Sequence, residues 1–125
     1  MKRTEIFFSI KQAAQDPFIR WTTLASILLL VCTTGYFVWN ILPIVKGNGL
    51  VVLHYNTYLG IDAVQPWPWI FLFPGLTLGI LFFDTIVSSL LFQKDRLASR
   101  SIVALEFVTV VLWSVGMYFL MRINL

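Results

Sequence analysis

The stretch "WIFLFPGLTLGILFFDTIVSSLLF", Trp69 to Phe92, carries a single charged side chain, Asp84. As a helix rising about 1.5 Å per residue it would cross the roughly 30 Å hydrocarbon core of a bilayer. Two more runs of the same kind flank it. "WTTLASILLLVCTTGYFVWNIL", Trp21 to Leu42, precedes it, and "SIVALEFVTVVLWSVGMYFLM", Ser101 to Met121, follows. A backbone in lipid must satisfy its own hydrogen bonds, so all three are expected to be helical. The predicted fold is an all-α membrane protein of one domain with three transmembrane helices, 21–42, 69–92 and 101–121.

Composition agrees. The chain of 125 residues is 58% apolar and 12% charged, against about 45–50% and ~25% in soluble domains. Such a chain cannot cover itself with polar groups in water. Trp21, Trp39, Trp67 and Trp69 stand at span ends, where indole rings favour the headgroup level. The net charge of +3 is carried at the edges of the apolar runs, which argues for membrane orientation and against a nucleic-acid surface. Cys32 is the sole cysteine, so an intrachain disulfide and a cysteine metal cluster are both excluded. The first run is longer than a 7–15-residue signal core and no small-x-small site follows it, so it is expected to persist as a span.

Basic residues set the orientation. Lys2, Arg3, Lys11 and Arg20 precede the first span, and Lys94, Arg96 and Arg100 lie between the second and third. The connection 43–68 has only Lys46 and the tail only Arg122. The positive-inside rule therefore places the N-terminus in the cytoplasm and the C-terminus outside. Ahead of the first span, Ile6, Phe7, Ile10, Ala13 and Ala14 recur at helical spacing. Residues 4–15 are thus expected to form a short amphipathic helix on the inner leaflet, with Lys2, Arg3 and Lys11 near anionic lipids and Asp16-Pro17 as its stop.

Polar residues inside the spans form stripes: Ser26, Thr33 and Asn40; Thr77, Asp84 and Ser88; Glu106 and Thr109. Small and polar side chains concentrate where membrane helices pack, so the stripes are expected to face one another, with Gly75 and Gly79 as a small-xxx-small contact. Asp84 and Glu106 fall at similar depth on antiparallel neighbours. They could share a proton or hold a cation. The favoured expectation is structural: Lys94, Arg96 or Arg100 reaches inward, or Ser88 and Thr109 satisfy the carboxylates.

The outer connection 43–68 is too apolar for a solvated linker. "KGNG", Lys46 to Gly49, signals a turn. Then comes "LVVLHYNTYLGID", with Val51, Val52, Leu53, Tyr55, Tyr58 and Leu59 as its candidate buried side. Pro66 and Pro68 predict an extended approach to the second span. His54, Tyr55, Asn56, Gly60 and Asp62 are its candidate functional and structural motif, with Asp62 capping a short turn through Ala63 and Val64. One histidine and one carboxylate are too few ligands for a metal site.

The "LP" that closes the first span, the "LHYNTYLGID" element and the "PGLTLG" of the second resemble the N-terminal domain of unknown function of SdpI-type bacterial membrane proteins of immunity and signalling. The matching positions are Leu42, Pro43, His54, Asn56, Gly60, Asp62, Pro74 and Gly79. The chain is also similar to short uncharacterised three-span bacterial proteins with an HYN-x-Y-x-G-I-D loop. The resemblance implies a bacterial inner (cytoplasmic) membrane and marks the loop as the defining module.

No nucleophile–base set, phosphate loop or cofactor motif is present. The expected function is therefore non-enzymatic and cofactor-free: an integral membrane protein whose outer loop 43–68 is a folded binding, assembly or sensing module for protein–protein interaction. Its partners would be the lipid bilayer and either further copies or a larger membrane complex. The alternatives are a small oligomeric proton or ion conductor using Asp84 and Glu106, and a structural accessory subunit.

Overall fold

The computed structural model describes residues 3–125, apart from the side chains of residues 3, 45, 48 and 62. Four helices and one β-hairpin follow in order: α1 Arg3–Gln15, α2 Pro17–Asn48, β1 Leu50–Asn56, β2 Gly60–Pro66, a 3₁₀ turn Trp67–Phe71, α3 Leu72–Leu91 and α4 Arg96–Asn124. Three stretches, Pro17–Ile44, Trp67–Leu91 and Arg96–Asn124, are long and apolar enough to cross a membrane. The fold is thus mostly helical but not all-α, because a two-stranded antiparallel sheet fills the long connection.

The first long helix also outruns its expected end. α2 passes through Pro43 and stops only at Asn48. Proline deprives one carbonyl of its partner, a loss that apolar helices tolerate when neighbouring groups adjust. What ends α2 is Gly49, whose φ of 70° is the left-handed conformation that closes a helix after its last turn. The approach to α3 is extended only as far as Pro66. Trp67–Phe71 then winds as a 3₁₀ turn with Pro68 in its first turn, where the missing N–H costs nothing.

α4 is the central helix. It packs along both α2 and α3, which meet each other only sparingly. Between α2 and α3 lies an open groove of about 390 Å³ lined by Leu30, Gly35, Pro74, Gly75 and Leu78. Gly75 and Gly79 therefore mediate no close helix contact: a methyl group at either would meet nothing within 4 Å. The close approach lies instead between α3 and α4, where the buried Ser88 and Ser99 each donate to the other's backbone carbonyl, at 3.0 and 2.9 Å.

α1 lies across the bundle end that carries the α3–α4 turn. Its Ser9 is fully buried and donates to the Ser89 carbonyl at 2.7 Å, satisfying one of the unpaired acceptors at the end of α3. Ala13 joins Ile19, Phe92 and Val103 in a small core. Phe7, Phe8 and Ile10 stay exposed on the opposite side. Lys2 and the side chain of Arg3 lie outside the described residues.

Asp16 is more than a stop signal. Its Oδ1 accepts the N–H groups of Phe18 and Ile19 at 3.1 and 3.2 Å, capping α2. Its Oδ2 accepts Arg96 at 3.1 Å and Arg100 at 2.8 Å, tying the α1–α2 corner to α4. Burial alone would raise the Asp16 pKa. The Arg100 and Ile19 hydrogen bonds and the two guanidinium charges outweigh that and hold it below the usual carboxylate value.

Candidate functional site

Two groups of residues stand out, one at each half of the bundle. The first is the β1–β2 hairpin. Its base is built into the helix ends: Val51, 1% exposed, packs with Phe37, Ile41, Ile70, Met117 and Met121, while Leu53 and Trp67 press against the same cluster. The Trp67 N–H donates to the Gly49 carbonyl at 3.1 Å, closing the hairpin's neck. From α4, Asn124 accepts the Val52 N–H at 2.8 Å and donates to the Val52 carbonyl at 2.9 Å. The side-chain amide thus imitates one residue of a neighbouring strand. Nothing in the local pattern around Asn124 announces this contact with a strand far back in the sequence.

The far end of the hairpin is free of the bundle. Asn56 Oδ1 accepts the Tyr58 N–H at 2.9 Å, an Asx turn that folds the tip. Gly60, at φ 78°, supplies the left-handed residue that starts β2. Tyr58 is 95% exposed and Leu59 77%, with Tyr55 and Ile61 half-exposed beside them. Of the residues expected on the buried side, only Val51, Val52 and Leu53 lie low enough to reach the helices. Tyr55, Tyr58 and Leu59 stand beyond them.

His54 lies exposed on β1 opposite Ala63. The strand register slips on both sides of this pair, leaving Leu53 and then Asp62 without a cross-strand partner. Ala63 and Val64 belong to β2, so the short turn expected to start at Asp62 is a strand instead. The side chain of Asp62 lies outside the described residues. The structure therefore brings His54, Tyr55, Asn56 and Gly60 onto one hairpin.

The second group lies between the three long helices. Glu106 is 1% exposed. Its Oε2 accepts a long hydrogen bond from Thr85 Oγ1 at 3.4 Å, Ser26 is a further hydroxyl partner of its carboxyl, and Asp84 is near enough to interact electrostatically. Oε1 is buried with no hydrogen-bond partner among the described residues. The groups expected to satisfy the carboxylates lie elsewhere, and Lys94 is exposed. Arg96 and Arg100 are turned to Asp16. Ser88 is engaged by Ser99, and Thr109 donates to Leu105 on its own helix. Thr77, also buried, donates to Phe73 and takes no part. The polar stripes meet in one further place, where Thr33 donates to Ser114 at 3.1 Å; Asn40 turns back onto Tyr36.

No family model, curated protein or solved structure matches this chain.

Proposed function

We propose that the chain is a three-span protein of a bacterial inner membrane, and that its hairpin is a docking module for a protein partner on the outer side. The observation that carries this is the contrast within one small sheet. Its base is fastened to the bundle by Val51 and Asn124, while its tip presents Tyr55, Tyr58, Leu59 and Ile61 outward. Exposed aromatic and aliphatic groups on a rigid support are what interface cores are made of. A merely connecting loop would need neither the anchor nor the apolar tip. The resemblance of "LHYNTYLGID" to the SdpI-type domain supports the same reading. In it the basic ends face the cytoplasm, and the partner is a further copy or a larger membrane complex, with no enzymatic step.

The test is a paired substitution at the tip. Tyr58→Ser with Leu59→Ser touches no buried contact and should change stability by no more than about 0.5 kcal/mol. After gentle detergent extraction, the wild-type chain should co-purify with a partner or with itself, and the double variant should emerge alone. Identical assemblies from both would remove the proposal.

A further inference from the structure

The groups around Glu106 are oxygens with few protons to give. Thr85 has one hydroxyl proton and donates it to Leu81 at 2.8 Å. Ser26 likewise donates to Thr22 at 3.0 Å. Each hydroxyl has a single proton to share between its helix carbonyl and the Glu106 carboxyl, which Thr85 also reaches, weakly, at 3.4 Å. Asp84 adds a second carboxyl nearby. The cage is thus rich in oxygens and poor in donors, and Glu106 Oε1 is buried with no hydrogen-bond partner among the described residues. Burying a carboxylate with too few donors and no counter-charge is strongly unfavourable.

The charged groups that could relieve this are few and committed. α3 contributes Asp84 alone. α2 carries no titratable side chain between Arg20 and Cys32, and α4 carries none between Arg100 and Tyr118 apart from Glu106 itself. Arg100, together with Arg96, is held by Asp16, the charge that α1 and its corner present to this end of the bundle.

We propose that Glu106, with Ser26, Thr85 and Asp84, forms a binding site for one small monovalent cation, H⁺ or Na⁺. An all-oxygen set suits either occupant. A proton on the carboxyl becomes the missing donor to a Thr85 or Ser26 lone pair, and a hard alkali ion is held by carboxylate and hydroxyl oxygens. Asp84 is only half-buried, so it is the exposed end of the cluster. The site is independent of the hairpin and stands or falls without it.

The experiment follows thermal unfolding of the purified chain in phosphatidylcholine nanodiscs, from about pH 5 to about pH 9, in choline chloride and in sodium chloride. A ligand that binds only the folded state stabilises it by mass action. In choline, the wild-type melting temperature should fall by several degrees as pH rises and protons leave. Recovery of that loss in sodium identifies Na⁺ as the high-pH occupant; an equal loss in both salts identifies the proton alone. Glu106→Gln supplies its own N–H donors, so its melting temperature should lose this dependence on pH and sodium. Infrared spectra provide a second readout that needs no melting: a protonated-carboxyl band present in wild type and absent from Glu106→Gln. A wild-type chain indifferent to both cations, or a Glu106→Gln chain that responds as wild type does, would overturn the proposal.

Discussion

The side-chain amide of Asn124 is hydrogen-bonded to both backbone polar groups of Val52, at 2.8 Å to the N–H and 2.9 Å to the carbonyl. The last turn of the last helix is thereby joined to the strand that follows the first long one. The same amide nitrogen also donates to Leu120 at 2.9 Å, which fixes its rotamer. Asn124→Ala should leave the Val52 N–H without its partner at a cost of about 1–3 kcal/mol. The loss should be local. Amide exchange across β1 and protease cleavage near the hairpin should both accelerate, while α3 and α4 keep their protection.

Asp16 is the counterpart at the other end. Asp16→Asn keeps an oxygen for the α2 cap but removes the charge facing Arg96 and Arg100, whereas Asp16→Ala removes both. The alanine variant should lose about 0.5–2 kcal/mol more than the asparagine variant, the usual worth of an N-cap. The pH dependence has a definite sign. A carboxyl held below its unfolded value of about 3.9 contributes stability that is present above that pH and lost as pH falls through the folded value. Acid melts from about pH 6 downward should show this loss in wild type and lack it in Asp16→Asn.

The serine pair between α3 and α4 separates hydrogen bonding from close packing. Ser88→Ala or Ser99→Ala deletes one hydroxyl donor and should cost about 0.5–1.5 kcal/mol. Leucine at either position has no space between backbones this close, and should cost about 1–3 kcal/mol or more by overpacking. Equal melting temperatures for the alanine and leucine variants would show that the helices do not meet there.

The long helices are legible in the sequence because a bilayer-length apolar run leaves the backbone no other way to bond itself. Polar contacts between distant segments are less so. Asp16-Pro17 reads as a stop, yet the same dipeptide is an N-cap followed by proline at the first helical position, and that signal was available. The hairpin was half-visible: "VVLHYN" and "GIDAV" are β-rich runs separated by a short glycine-ended turn, but the loop lacks the Asn-Gly or Asp-Gly pair that would mark it outright. Ser9, Asn124 and the Arg96–Asp16–Arg100 cluster could not be read locally, because each depends on how three helices are rotated about their axes. The nearness of Asp84 and Glu106 is legible for the opposite reason, since their levels follow from counting along two helices joined by a short turn.

Orientation rests on the distribution of Lys and Arg, and can be tested directly. Lys11, Arg20, Lys94, Arg96 and Arg100 lie toward the end of the bundle that holds the α3–α4 turn, against Lys46 and Arg122 toward the hairpin end. Pairing with Asp16 does not weaken the bias, because acidic residues contribute little to it. Cys32 is exposed, so the reporters belong in a Cys32→Ser background. Leu97→Cys marks the start of α4 and Thr57→Cys the hairpin tip, both at exposed positions. A maleimide that cannot cross the membrane should label the cysteine at 57 in intact cells, and the one at 97 only after permeabilisation. The reverse pattern would put the hairpin in the cytoplasm, and the partner proposed for Tyr58 and Leu59 would have to be sought on that side.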